Sequence, residues 1–348
     1  MKKFNYFFAA AAFVAAMGLA SCSQSDNPTE PIPSPEPEPV AAGVQNYDEL
    51  IAAITEAEDG AEIKLAAAAN ITIADAITLD KAVSIVGDEA QPANITMTKG
   101  IVTSAALKIA NANIDASGLE ENLLSFPAEQ PADWQNIAVI SFDGVTVKGL
   151  KKALFYSATK NYLISEFVIN NSVIEVASAP SIDFTKGSVA ANIIIKKSTI
   201  YAAEPTTNSF YSSQSGQKAT EASADLIQKF DIENSTFYNL AKSKNFFTHR
   251  QSNQKWLAYT LVKNIFVNCG KSGQVVKGVN GGQSGQNPIW NIDSNIFNFD
   301  GADTSAAEST GDADEPVQNS IATVVEFANA EGADFTQPII VGDPRWIK

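Results

Sequence analysis

The sequence Ile169-Asn170-Asn171-Ser172-Val173-Ile174 contains a pattern that the chain repeats. An apolar residue stands first, two polar residues follow, a small polar residue is fourth and an apolar residue is last. Close or looser copies occupy residues 195–200, 232–237, 261–266 and 292–297. A segment with one apolar face cannot bury that face alone, but a stack of such segments can. The pattern therefore predicts a stacked, repetitive fold.

The last apolar residue of each copy marks the spacing of the repeat. The series extends backwards and gives eight anchors: Ile85, Ile114, Val147, Ile174, Ile200, Phe237, Phe266 and Phe297. Successive anchors are 26 to 37 residues apart and cluster near 30, a spacing that favours coils of unequal length. Short β-branched segments with alternating polarity surround them, which predicts strands. We therefore expect an all-β solenoid of eight coils.

The fourth position of each copy carries a serine or an asparagine. In a solenoid these side chains would lie above one another and form a hydrogen-bonded ladder. The predicted members are Ser172, Ser198, Ser235, Asn264 and Asn295.

A short amphipathic helix is predicted before the first strands. Asn46 and Glu49 have the spacing of a capping box, and Gly60 is the expected end of the helix. Its apolar face could cover the open end of a solenoid.

The N-terminal residues predict export and lipidation. Lys2 and Lys3 precede an apolar run from Phe7 to Ala20 that is too short to span a bilayer comfortably. The run ends in Leu19-Ala20-Ser21-Cys22, which resembles the lipobox of bacterial lipoproteins. We expect a signal peptide over residues 1–21, lipidation of Cys22, a proline-rich tether over residues 22–43 and one β-helix domain over residues 44–348. This predicts an outer-membrane location, exposed at the cell surface, with the lipid as the only membrane contact.

Charge and cysteine content restrict the classes of partner. The chain has 24 basic and 39 acidic residues and a net charge of −15. Without a basic cluster, nucleic acid is not an expected partner. An acidic surface suits neutral glycans, cation-bridged ligands or solubility alone. Cys269 is the only cysteine besides Cys22, so no intrachain disulfide is expected after lipidation.

The layout resembles known β-helix proteins. A helix, a strand reading Lys-Ala-Val-Ser-Ile-Val-Gly at residues 81–87 and the repeats are similar to right-handed parallel β-helices of the pectate-lyase type. Asp334-Phe335-Thr336 and the ending Gly342-Asp343-Pro344-Arg345-Trp346 resemble uncharacterised β-helix lipoproteins of glycan-utilisation systems in gut anaerobes. The resemblance covers about residues 44–348. It implies a fold and a location but no reaction.

One segment gathers residue types suited to binding a sugar. The predicted ligand-binding set combines aromatic rings for stacking with polar and basic groups for hydroxyls or carboxylates. It consists of Phe247, His249, Arg250, Lys255, Trp256, Tyr259 and Trp290. His249 and Arg250 are also the candidates for a catalytic base, because β-helix lyases use such residues. The alternative is that Phe246 and Phe247 belong to the core beside a solvated loop.

Other chemistry finds less support in the sequence. Asp143, Asp231 and Asp293 lie at different offsets from the repeat, so no metal site is predicted. The Asp-Asp motif of β-helix hydrolases is missing, and Asn291-Ile292-Asp293 coincides with the repeat. The glycines at residues 281–285 lack the lysine that a phosphate loop needs, so no cofactor is expected.

These patterns favour a surface lipoprotein that binds polysaccharide or oligosaccharide in a glycan-uptake system. One alternative is a divergent polysaccharide lyase or glycoside hydrolase on the same fold. A second alternative is a structural or adhesive surface protein. Enzymatic activity is left open, with a non-enzymatic role favoured.

Overall fold

The fold is a parallel β-helix, and the right-handed parallel solenoid expected from the sequence is confirmed. The computed structural model describes residues 43–177, 180–213, 222–223, 225–249, 257–276, 289–305 and 319–348. Cys22, with the signal peptide and nearly all of the tether, lies outside these ranges. So do Arg250, Lys255 and Trp256.

The first sheet contains nine strands among the described residues, and each pairs in parallel with its neighbours. In spatial order they are β1 (Ala61–Lys64), β4 (Val83–Val86), β7 (Leu107–Ala110), β10 (Gln135–Asp143), β13 (Tyr162–Asn170), β16 (Val189–Lys196), β19 (Gln228–Glu233), β22 (Leu257–Val262) and β24 (Ile289–Asp293).

The second sheet follows the first after a short corner in every coil. Over the described ranges it has ten strands, nine of them parallel and the last antiparallel. In order they are β2 (Asn70–Ile73), β5 (Ala93–Met97), β8 (Ala112–Asp115), β11 (Thr146–Lys148), β14 (Val173–Glu175), β17 (Thr199–Tyr201), β20 (Thr236–Tyr238), β23 (Ile265–Val267), β25 (Ile296–Phe299) and β26 (Ala302–Asp303).

The third sheet closes the coil. Its seven described strands are also parallel. They are β3 (Ile77–Leu79), β6 (Ile101–Thr103), β9 (Leu124–Ser125), β12 (Phe155–Tyr156), β15 (Ile182–Phe184), β18 (Tyr211–Ser213) and β21 (Phe247–His249). Single 3-10 turns occupy Lys271–Gly273, Ala330–Gly332 and Pro344–Trp346.

Helix α1 (Tyr47–Glu56) packs against the first coil. The Asn46 side chain accepts a hydrogen bond from the backbone N–H of Glu49, as the capping-box spacing predicts. Leu50 and Ile54 are its buried face. The helix ends at Glu56, earlier than the expected Gly60, which instead lies in the turn before β1. Within the described residues, no helix is long and apolar enough to cross a membrane.

The predicted anchors form one stacked row, with one correction. From Ile114 to Phe297, each anchor is the direct partner of the next across the second sheet. Ile85 lies instead on β4 in the first sheet, opposite Ile63 and Ile109. Its place in the row is taken by Ile95, and Ile71 adds one more coil. The described solenoid therefore has nine coils, one more than the eight predicted.

The predicted ladder is present at the corner between the first and second sheets. In each coil the ladder oxygen accepts from a backbone N–H of the preceding coil, from Val145 N to Ser172 Oγ at 3.1 Å through to Asn264 N to Asn295 Oδ1 at 2.9 Å. The residue before each ladder side chain is left-handed, with φ between 46° and 56°. This conformation turns the chain sharply and buries the backbone N–H groups at the corner. Without the ladder oxygens, these N–H groups would have no hydrogen-bond acceptor.

Candidate functional site

The structure brings together the described part of the predicted ligand-binding set. His249 ends β21, Tyr259 lies on β22 and Trp290 lies on β24. His249 Nε2 is 2.6 Å from the Tyr259 hydroxyl, and the Tyr259 ring stacks on Trp290 with centroids 5.0 Å apart. Arg250, Lys255 and Trp256 lie outside the described residues, so their predicted role is still a prediction.

Two members of this set are part of the core. Phe247 and Tyr259 expose 0% and 1% of their surface because alternation along β21 and β22 points them inward. Tyr259 lies between Phe230 and Trp290 in a stack, with a centroid distance of 4.6 Å to Phe230. Neither ring offers a face to a polysaccharide, and this burial argues against their predicted role in binding a ligand. The alternative that assigned Phe247 to the core was right.

His249, which is half-buried at the end of β21, links polar groups at the edge of the core. Its Nδ1 lies 2.8 Å from the Ser213 hydroxyl, while Nε2 contacts Tyr259. Nearby, Gln228 Nε2 donates to the Tyr211 hydroxyl at 3.0 Å and to the carbonyl of Ala190 at 2.6 Å. A neutral imidazole donates through one nitrogen and accepts through the other, which suits a bridge between two hydroxyls.

Burial fixes the protonation of this cluster. It lowers the pKa of His249 from 6.5 to about 3 and raises the pKa values of Tyr211 and Tyr259 above their ordinary value. A general acid or base works best when its pKa is near the working pH. His249 is neutral at neutral pH and locked between hydroxyls, which suits a structural role better than catalysis.

An open polar groove lies elsewhere, on the outer face of the second sheet. It spans β5, β8 and β11 and encloses about 530 Å³. We call it the amide groove, and its outward-pointing side chains are Asn94, Thr96, Asn113, Asp115, Thr146 and Lys148. Alternation places Ile95, Ile114 and Val147 inside and leaves these polar residues outside.

Stacked asparagines order one side of the groove. Asn94 Nδ2 donates to Asn70 Oδ1 at 3.2 Å, and Asn113 Nδ2 donates to Asn94 Oδ1 at 3.2 Å. All three residues are exposed. A primary amide has two donor hydrogens and two acceptor lone pairs, and the middle amide uses one of each in this row. The row is therefore held in place and still presents donors and acceptors outward.

The chain itself covers the later coils of the same face. Residues 319–348, the C-terminal strap, lie across β17, β20 and β23. Phe335 packs between Tyr201 and Tyr238, with centroid distances of 5.1 Å and 5.7 Å. Trp346 Nε1 donates to the Thr199 hydroxyl at 2.8 Å. Under the strap the outer face therefore presents both aromatic rings and threonine hydroxyls, whereas the amide groove lies on the earlier strands β5, β8 and β11.

The sequence analysis considered metal binding but did not identify the amide groove. No group of three or more His, Cys, Asp or Glu residues suited to a metal ion occurs among the described residues. The amide groove was missed, although Asn70-Ile71-Thr72, Asn94-Ile95-Thr96 and Asn113-Ile114-Asp115 share one pattern. This shared pattern could have indicated the groove. The same alternation in β2, β5 and β8, which are neighbours in the second sheet, places similar side chains next to one another.

The groove lies in a part of the chain that is similar to a known protein family. Residues 69–203 match the model of a family described as a domain of unknown function, DUF4957. The match runs from the start of the second sheet through β17 and contains every residue of the amide groove. A comparison with curated proteins gave no match.

Proposed function

We propose that this protein is a carbohydrate-binding protein that holds a glycan chain in the amide groove. The observation that carries the proposal is the row of preorganised amides, flanked by hydroxyls, on an open face of a rigid solenoid. Sugars present many hydroxyl groups, each able to donate and accept, and amides and threonine hydroxyls match them in both roles. Because the strands are fixed by parallel pairing, these groups need little ordering when a ligand binds.

Binding fits the groove better than cleavage. Glycoside hydrolysis needs two carboxyl groups across the scissile bond, one of them with a raised pKa. Asp115 is the one carboxylate among the lining residues, and hydrogen bonds from Ser117 lower its pKa. It is therefore a constant anion and a poor proton donor.

The experiment measures affinity for a polysaccharide panel by gel retardation and calorimetry. The purified protein is compared with a variant carrying Asn94→Ala and Asn113→Ala. We expect retention by at least one polysaccharide and a loss of affinity of about 10-fold or more in the variant, since two hydrogen-bonding groups at about 1 kcal/mol each are removed.

A matched control comes from the first sheet. Asn170 Nδ2 donates to Asp143 Oδ1 at 2.8 Å, so Asn170→Ala removes a similar contact between coils away from the groove. Its affinity should equal that of the parent protein. Absence of retention by every polysaccharide, or equal losses in both variants, would overturn the proposal; binding of a peptide or of a second copy of the chain would indicate another occupant.

We also propose that the protein is lipid-anchored at the cell surface through Cys22 and serves a glycan-uptake system. The lipobox at residues 19–22 and the proline-rich tether support this location. Metabolic labelling with an alkyne fatty acid should label the parent protein but not Cys22→Ala, and added protease should cut the protein on intact cells. Labelling of the variant, or protection from protease, would contradict the assignment.

A further inference from the structure

We infer that the amide groove selects uncharged, hydroxyl-rich glycans and rejects polyuronates and sulfated glycans. This inference rests on the proposed function and adds the class of ligand. It is drawn from the charges that stand in the groove and beside it.

Charges of alternating sign occupy one row of the outer face. Lys148 lies directly opposite Asp115 on the neighbouring strand. The register of β11 with β14 places Glu175 on the other side of Lys148. Neighbouring strands are about 4.8 Å apart, so Asp115 and Glu175 flank Lys148 on the two adjacent strands. The three groups together carry one net negative charge.

Lys148 is therefore a weak site for an anionic sugar. A uronate or sulfate that approaches its ammonium group also approaches two carboxylates, and repulsion from these offsets the attraction. Hydrogen bonds from Ser117 lower the pKa of Asp115, and Glu175 Oε2 accepts from the backbone N–H of Gly149 at 3.0 Å, so both carboxylates are ordered. The net charge of −15 over the chain adds repulsion at longer range.

The remaining groups favour hydroxyls. Asn94, Asn113, Thr96 and Thr146 all donate and accept hydrogen bonds, whereas a carboxylate only accepts. A neutral sugar can use both roles along the row. The anionic groups of a polyanion would use only the hydrogen-bond donors of these side chains, and the Asp115 carboxylate would repel them.

Bridging by calcium would be the remaining route for an acidic glycan. Calcium takes six to eight oxygen ligands, usually with several carboxylates. Asp115 already accepts from the backbone N–H of Ser117 at 3.0 Å, and the described residues contain no three-residue acidic cluster suited to a metal. Binding should therefore not depend on calcium.

The test compares neutral glucans, galactans, mannans and arabinans with polygalacturonate, alginate and chondroitin sulfate. Each is measured with excess EDTA and with added CaCl₂. We expect binding of at least one neutral polysaccharide, with less than about 2-fold change in affinity between about 0.05 M and about 0.5 M NaCl, because no charge pairing is involved. We expect no binding of the acidic polysaccharides in either condition.

A charge variant makes the test independent of the identity of the neutral ligand. Asp115→Asn with Glu175→Gln keeps both acceptors and leaves Lys148 unopposed. This variant should gain affinity for polygalacturonate by about 10-fold or more, and adding Lys148→Met should abolish the gain. Circular dichroism and the melting temperature check that each variant is folded.

Two failures are distinguishable. If the parent protein binds an acidic polysaccharide more tightly than any neutral one, the inference is wrong while the carbohydrate-binding proposal stands. If no carbohydrate binds to the parent protein, the proposed function itself is wrong, and the selectivity fails with it.

Discussion

The Asp343 carboxylate accepts a hydrogen bond from the Thr199 hydroxyl at 2.8 Å, joining the end of the chain to the sixth coil of the solenoid. Asp343 is fully buried, and its backbone N–H donates to the Thr236 hydroxyl at 3.0 Å. Arg345 Nε lies 3.3 Å from the same carboxylate. The Gly-Asp-Pro-Arg-Trp ending therefore fastens the C-terminal strap to β17 and β20.

Asp343→Ala should release the strap. It removes the acceptor for Thr199 and Arg345 and leaves a cavity beside buried polar groups, at a cost of about 2–3 kcal/mol in the free energy of unfolding. Urea denaturation measures this cost, and limited proteolysis should show faster cutting within residues 319–348. Glu331→Ala, at an exposed position of the same segment, serves as the control and should change neither measurement. Equal proteolysis of both variants and the parent would argue against this fastening role.

Asn264→Ala should destabilise the ladder. Asn264 Oδ1 accepts from the backbone N–H of Ser235 at 3.0 Å, and its Nδ2 donates to the carbonyl of Ile232 at 2.8 Å. Alanine leaves both buried groups unpaired, so we expect a loss of about 2–3 kcal/mol by chemical denaturation.

Serine at the same position provides the matched comparison. Ser172, Ser198 and Ser235 fill the equivalent place in other coils and accept the same type of bond. Asn264→Ser should therefore lose less stability than Asn264→Ala. If the two variants are equally stable, the side-chain acceptor is not what holds the corner.

His249 should make stability depend on pH. Its folded pKa of about 3 lies below the unfolded value of 6.5, so the unfolded chain binds a proton more readily in between. The contribution of His249 to the free energy of unfolding is therefore complete above about pH 6.5, and it is lost as the pH falls towards about 3. The free energy of unfolding is measured from pH 8 to pH 4 for the parent and for His249→Gln. The advantage of the parent should shrink with falling pH, and a constant difference would show that folding does not shift the pKa of His249.

Ile200→Asp should disrupt the stacked core. Ile200 is 1% exposed and lies between Ile174 and Phe237 in the anchor row. A buried, unpaired carboxylate should cost several kcal/mol and lower the melting temperature markedly, whereas Ile200→Val should cost only about 1 kcal/mol. An unchanged melting temperature in Ile200→Asp would mean that this register is incorrect.

The sequence predicted the elements whose position depends on local pattern. Ile114 and the later anchors, together with Ser172 and the other ladder residues, follow from a motif read within one coil. Ile85 was misplaced because two strands of one coil carry similar alternation, and only the pairing with Ile63 and Ile109 separates them.

The candidate site was harder to predict, since it depends on neighbours between coils. Phe247 and Tyr259 lie in a segment whose composition is typical of a surface site. Their side chains point into the core because β21 pairs with β18 and β22 pairs with β19. Asn94 and Asn113 are 19 positions apart and become neighbours only when an unusually short coil brings β5 beside β8. The covering of Thr199 by Asp343, 144 positions away, has no local signal.

The ladder corner has a consequence for how such a chain can change over evolution. From Asp143 onward, the corner between the first and second sheets is two residues long in each of six successive coils, whereas the other two corners vary widely in length. An insertion or deletion at the fixed corner would break the ladder contact there and turn the inward residues of the strand that follows it to the outside. At the variable corners, segments can be lengthened, shortened or exchanged without moving the stacked interior. We therefore expect changes in length to accumulate at the two variable corners, while the corner between the first and second sheets keeps its two residues.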